Sequence, residues 1–265
     1  MLQKGPAPHT PDGTDGNGNM VNAMQESLFQ RAELLLGNNA MARLGAARVL
    51  LFGVGGVGSW VAEGLIRSGV GHLTLVDGDT VAPSNVNRQL MATTATIGRP
   101  KVDAMREHLL QVNPAADIVA RQERFSARTA DAFDWQAFDC VVDAIDSVAD
   151  KLELIVRATD KTQWRQARRP LFFSSMGAAL KCDPTQVRVS EFWEVDGCPL
   201  AATLRRRMRR AGRYPGHKFK CTWSPEVVHP GTPRLTGQPN GSLVQITAIM
   251  GFTLAGLIIN EISHT

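Results

Sequence analysis

The chain has 265 residues, 43% hydrophobic and 20% charged, which suits one large domain or a domain with an appendage, able to bury a sizeable core. Net charge is only +4, so where the basic residues cluster matters more than their excess. The four cysteines, Cys140, Cys182, Cys198 and Cys221, form no CxxC pair, which argues against a zinc knuckle and for free thiols in a reducing cytoplasm.

Residues 1–23 are rich in Gly, Pro, Asp and Asn, lack a signal-peptide pattern and read as a flexible tail. Residues 24–46 read as a helical lead-in. The run 47–53, "ARVLLFG", is a buried strand ending in glycine, and 57–68 has helical spacing. Next come a strand at 72–77, "HLTLVD", and a helix at 101–112 stopped by Asn113-Pro114. Further strands follow at 116–121, 138–144 and 170–175, with helical segments between them. Such alternation predicts an α/β fold, a Rossmann-like, doubly wound, mostly parallel sheet with helices on both faces.

After residue 175 the pattern changes, and a C-terminal extension with antiparallel strands and helices is expected. Residues 185–194 alternate like an antiparallel or edge strand. Residues 199–213 form a helix opening on proline, and 224–242 form a Pro/Gly-rich loop. Residues 241–260 carry no charge and are long enough to cross a bilayer. Gln245, Thr247, Thr253, Asn260 and three glycines instead predict a helix buried against the sheet or at a subunit interface rather than a membrane-spanning one.

The chemistry sits at strand ends. Gly53-Val54-Gly55-Gly56-Val57-Gly58 joins a strand to a helix. There the backbone approaches a phosphate and the helix N-terminus offers N–H groups and partial positive charge. Asp77 ends the next strand, where a carboxylate reaches ribose hydroxyls. There is no GxxxxGK[ST] P-loop. The stretch "DGDTVAPSNVNRQ" then supplies Asp79, Asn85, Arg88 and Gln89, and "GRPK" supplies Lys101 at a helix start. Two cations and an amide beyond the loop suit the three phosphates of ATP better than the two of NAD. Asp146, after the fourth strand, is placed to hold Mg²⁺ between phosphates.

These motifs, "GVGGVG", "DGDTVAPSNVNRQ", "GRPK" and "DAIDS", resemble those of the ThiF/MoeB-type adenylating enzymes related to ubiquitin-activating enzymes, over about residues 29–262. The resemblance implies an adenylating domain at 24–265, split into a nucleotide-binding half (24–175) and a substrate and dimerisation half (176–265). It implies that Gly53, Gly55, Gly56 and Gly58 line ATP and that Asp77 takes the ribose. Asn85, Arg88 and Lys101 hold the phosphates, Asp79 and Gln89 complete the nucleotide set, and Asp146 stands by the metal. It also implies a homodimer in which Arg31, from "FQRAELLLG", reaches the partner's ATP. Arg88, Lys101, Asp146 and Arg31 are then the catalytic set.

Within the family, "SSMGAALKCDPTQVRV", "GCPLAATLRRRMRR", "CTWSPE" and the C-terminal segment are similar to the tRNA threonylcarbamoyladenosine dehydratase branch. Cys198 stands where that branch has an aspartate before the proline. The implied reaction adenylates the threonyl carboxylate beside the tRNA anticodon and closes an oxazolone ring. The alternative is adenylation of the C-terminal glycine of a ubiquitin-like sulfur carrier. Those relatives usually carry two CxxC zinc pairs, which are absent here. A sulfur-relay partner protein stays open.

Cys221 reads either as a thiol that takes an acyl group or, preferred, as a loop cysteine without a chemical role. Arg205, Arg206, Arg207, Arg209, Arg210 and Arg213 crowd one helix without an intervening acid, and Leu200, Leu204, Met208 and Ala211 mark its inward stripe. The outward face is expected to contact tRNA phosphates, with Arg165, Arg168 and Arg169 extending it. Trp164 and Trp193 are expected in the core rather than against bases.

Overall fold

The computed structural model describes residues 28–163, 170–229, 231–232 and 240–264. The tail at 1–23, Trp164, Arg165, Arg168, Arg169 and part of the 224–242 loop lie outside the described residues. The helical lead-in is two helices, α1 (Gln30–Leu36) and α2 (Asn38–Ala46), because Gly37 between them takes φ +81°, a left-handed conformation that a continuous helix cannot hold. Then follow β1 (Arg48–Phe52), α3 (Gly58–Arg67), β2 (His72–Val76), α4 (Lys101–Val112), β3 (Asp117–Arg121), β4 (Cys140–Asp143), α5 (Val148–Ala158) and β5 (Leu171–Ser175). The C-terminal part adds β6 (Arg188–Glu191), α6 (Pro199–Ala211), β7 (Lys220–Trp223) and α7 (Val244–His264).

Among the described residues these strands form one seven-stranded sheet in the order β3-β2-β1-β4-β5-β7-β6. All neighbours pair in parallel except β6 with β7. The central strands β1, β2, β4 and β5 are mostly apolar because both faces are covered. Val49 and Leu51 of β1 face one core with α2, α3, α4 and α7, while Leu50 and Phe52 face the other with α5 and α6. In that second core Phe52 meets Phe125 and Phe133, each with ring centroids 4.9 Å away.

The charge-free segment is a helix that packs one face against the rest of the protein and leaves Val244, Ile249 and Phe252 exposed. At Gly251 an added Cβ would lie 2.6 Å from Trp60 Cβ, and at Gly64 one would lie 2.8 Å from Ala255 Cβ, so small residues let α7 approach α3 closely. Arg43 on α2 caps the end of α7 by donating to the carbonyls of Ile262 and Ser263. Strand β7 corrects the reading of Cys221 as a loop residue. The thiol is fully buried between β5 and β6, in a strand too short and too charged at its start, "KFKCTW", to be recognised by alternation. On α6 the inward stripe is Ala201, Leu204 and Met208, whereas Ala211 is exposed and Leu200 is half-buried.

Candidate functional site

A cleft of about 710 Å³ opens at the C-terminal ends of β1, β2, β4 and β5. It lies where the strand order turns outward from β1 on one side and β4 on the other, the place open α/β sheets use for ligands. The glycines between β1 and α3 form its floor, each for its own reason. Gly53 has φ +86°, and a Cβ there would sit 2.7 Å from Ala144 O. A Cβ on Gly58 would sit 1.8 Å from Gly53 O, and one on Gly56 would meet Thr247 Cγ2 at 3.0 Å. Gly55 faces open space, with only Gln89 Nε2 at 3.8 Å. Asp77 holds this loop to β2: Val54 N–H donates to its Oδ2 (2.7 Å) and Asp79 N–H to its Oδ1 (2.9 Å).

The cations come from two different elements. Lys101, the first residue of α4, is buried and donates from Nζ to Asp79 Oδ2 at 2.7 Å. Arg88 donates from Nη1 to Ser84 O (2.8 Å) and Asn87 Oδ1 (3.0 Å). Its own carbonyl accepts from Trp60 Nε1 (3.1 Å) and Thr247 Oγ1 (3.4 Å), so α3 and α7 together set its backbone. Asn85 is buried, and its Oδ1 accepts from Ala82 N–H at 2.9 Å, which shapes the turn before Arg88. Gln89 is 5% exposed and its Oε1 has no hydrogen-bond partner among the described residues. A buried amide with an unpaired acceptor, on a side chain whose Nε2 approaches Gly55, offers hydrogen-bonding capacity to a ligand at the loop. A nucleotide with its phosphates at the glycine loop fits this cradle.

The opposite wall carries the acids. Asp143 ends β4 fully buried, paired with Lys151 Nζ at 2.9 Å and accepting from Ser174 Oγ (2.7 Å) and Ile145 N–H (3.1 Å). Burial pushes the Asp143 carboxyl up, against the opposing pull of Lys151. Lys151 also donates to Ile145 O at 2.9 Å, so the pair fixes the loop that presents Asp146, exposed on the cleft wall. Among the described residues no three acids, histidines or cysteines gather as a metal cage. Mg²⁺ typically needs only one or two carboxylates plus phosphates and water, and Asp146 fits that role. At the rim Arg124 grips Asp150 Oδ2 with Nε (3.0 Å) and Nη2 (2.7 Å), and its guanidinium pKa is raised by that bond. Trp60, Thr247, Arg124, Asp143 and Lys151 were not singled out in the sequence. Asp143 opens the quoted motif "DAIDS" and ends an apolar strand. The rest meet the site through long-range packing.

The structure draws together Gly53, Gly55, Gly56, Asp77, Asp79, Asn85, Arg88, Gln89, Lys101 and Asp146 around the cleft. Gly58 lies just beneath it, closing the loop. Arg31 does not join them: it is exposed on α1 and does not line the cleft of its own chain. The arginine helix divides. Arg205, expected to face solvent, is half-buried and donates from Nη1 to Val195 O (2.6 Å) and Phe192 O (3.1 Å), because that segment leaves two carbonyls without strand partners. Arg213 pairs with Glu153 at 2.7 Å, and this bond holds the Glu153 carboxyl below its usual range. Arg209 lies over the Trp193 ring, 5.7 Å from its centroid. Arg206, Arg207 and Arg210 are exposed, with no hydrogen bond or ion pair among the described residues. Burial pushes the Cys221 thiol well above its usual range, which removes the thiolate that an acyl acceptor needs.

The ThiF family model matches residues 29–265, and the chain belongs to the ThiF family. Its relatives are more particular. A tRNA threonylcarbamoyladenosine dehydratase of Bacillus subtilis (strain 168) is 38% identical over 184 residues, 69% of this chain and 70% of that protein. A protein of the same name from Haemophilus influenzae is 30% identical over 239 residues, 84% of this chain and 88% of that one. The crystal structure of the Escherichia coli tRNA N6-threonylcarbamoyladenosine dehydratase TcdA in complex with ATP superposes with a TM-score of 0.78 at 30% identity, over 90% of this chain and 95% of that one. The E. coli protein MccB, at 15% identity and a TM-score of 0.59, shares the fold.

Proposed function

We propose that this protein is an ATP-dependent tRNA dehydratase that adenylates the carboxylate of threonylcarbamoyladenosine beside the anticodon and closes it to a ring. One observation carries the reading beyond the likeness to named relatives. The glycine loop, Lys101 and Arg88 line one cleft from separate stretches of the chain, an arrangement suited to a long polyanion, and Asp146 lines the same cleft. A dinucleotide, with two phosphates rather than three, makes less use of this pair of cations.

A free carboxylate is a poor electrophile. In the proposed reaction a substrate carboxylate oxygen bonds to the α-phosphorus of ATP, the bond to pyrophosphate breaks, and an acyl-adenylate forms. The carbamoyl oxygen then attacks the activated carbonyl, AMP leaves, and a proton passes to solvent. The sum is loss of water from the nucleoside, coupled to ATP cleavage. Little is asked of the protein beyond positioning and charge. Asp77 orients the ribose while fixing the loop. The N–H groups at the start of α3 meet the α-phosphate. Lys101 shares its proton donors between Asp79 and phosphate, and Arg88 meets the outer phosphates. Asp146 would hold Mg²⁺, which when bound would supply positive charge for the pyrophosphate. Ring closure is intramolecular, so no enzymic nucleophile is needed, in keeping with the burial of Cys221.

The same reading takes the chain as one adenylating domain, with 24–175 for the nucleotide and 176–265 for substrate and dimerisation, working in the cytoplasm as a homodimer. Leu34 and Leu35, 82% and 83% exposed beside Arg31, support a second copy covering α1 and carrying Arg31 toward the other cleft. The test of dimer and trans residue is subunit mixing. Arg31→Ala and Asp146→Ala proteins, each inactive alone, should regain activity as mixed dimers. No recovery after confirmed exchange contradicts the trans role.

A further inference from the structure

We propose that Trp193, Arg209 and Tyr214 form a stacking platform for an unpaired anticodon-loop base, with Arg206 and Arg210 beside it for the flanking phosphates; this rests on the tRNA reading above. Tyr214 is the single tyrosine of the chain and is 51% exposed. Its ring lies 6.2 Å from that of half-buried Trp193, and the Arg209 guanidinium covers the same indole at 5.7 Å. An exposed aromatic and a planar cation over a second aromatic give a π surface that accepts any base.

The platform is braced. Gly212 at φ +63° ends α6 and turns the chain so that Tyr214 comes back over Trp193. Arg213 anchors that turn to Glu153, and Arg205 ties down the 192–195 segment that carries Trp193. Two of the arginines expected on RNA thus hold the surface on which RNA would lie. Arg206 and Arg210 are one helical turn apart on the next strip of α6. The helix dipole favours cations in the last turn, which accounts for Arg209 and Arg210 but not for Arg206 and Arg207. Uncompensated like charges there call for an anion.

Position agrees with this role. Leu200, in the first turn of α6, lines the cleft, so the helix leads from the cleft toward the platform. A nucleoside drawn into the cleft by its carboxylate leaves its neighbours unstacked, and single-stranded loops are held by stacking on aromatic side chains and arginine guanidinium planes.

The test uses the full chain and an anticodon stem–loop bearing threonylcarbamoyladenosine, with binding measured at several salt concentrations. Tyr214→Ala should weaken binding about tenfold with the slope of log K against log salt unchanged, because stacking releases no counterions. Tyr214→Phe should bind like wild type. Arg206→Gln with Arg210→Gln should lower the slope by about 0.7 to 0.9 per lost contact. ATP affinity should stay within about twofold in every variant, since these residues do not line the cleft. Equal binding by wild type and Tyr214→Ala, with ATP-dependent dehydration intact, overturns the platform alone. A wild-type protein that binds no tRNA overturns the platform together with the reading beneath it.

Discussion

Single residues at this site do two things at once, and the substitutions that separate them are specific. Lys101 lies buried at a helix start, yet its partner Asp79 is mostly exposed, so removing the lysine strands no buried charge. Lys101→Met should therefore fold while losing about 10²- to 10³-fold in kcat, the cost of removing one pre-aligned charge donor. Steady-state pyrophosphate release alongside thermal unfolding checks both halves. The Asp143–Lys151 pair behaves oppositely. Both groups are fully buried, so Lys151→Met alone should cost about 3–5 kcal/mol, and adding Asp143→Asn should recover much of it. Urea unfolding of the single and double variants reads the difference. Glu153 gives a pH signature. Its carboxyl is held below the usual glutamate range by Arg213 first, so the pair adds stability at neutral pH and loses it as pH falls through that lowered value. Arg213→Gln should lower the urea midpoint at neutral pH and flatten its fall toward acid. Parallel curves for variant and wild type would contradict the assignment.

At the scale of elements, α7 explains why a site made of loop residues is rigid. Through Gly251 it lies against Val57 and Trp60, and through Thr247 it reaches the Arg88 carbonyl that Trp60 also holds. Gly251→Val has no room: the first added carbon lies 2.7 Å from Val57 O. Overpacking of this kind costs about 1–3 kcal/mol. ATP affinity should fall with it, because the shifted helix loosens both the glycine loop and Arg88. Calorimetry with Mg-ATP and a melting curve test this, and a variant that melts early but binds ATP normally would uncouple α7 from the site. Strands β1, β2, β4 and β5 were legible in the sequence because each is a largely apolar run, and the nucleotide rim was legible because its residues follow those strands closely. Strand β7 was not, since its four residues pair only with strands far away in sequence. Nor were Trp60, Thr247 and Lys151, whose roles appear only when α3, α5 and α7 pack. Helical periodicity put the arginines on one helix but could not show that Arg205 and Arg213 turn back to satisfy a carbonyl pair and a carboxylate.

In the whole molecule, the proposed ATP cleft at the sheet's switch point is joined through α6 to an arginine and aromatic surface, so that a nucleoside is activated while its strand is held. The measurement that tests this most directly is mass spectrometry of nucleosides digested from tRNA that carries threonylcarbamoyladenosine, after incubation with the purified protein. With Mg-ATP the nucleoside should lose the mass of one water, with AMP and pyrophosphate released in step. Without ATP, or with Asp146→Ala, it should stay unchanged. An unaltered nucleoside in the presence of protein and ATP, from a preparation shown to bind ATP, would contradict the account.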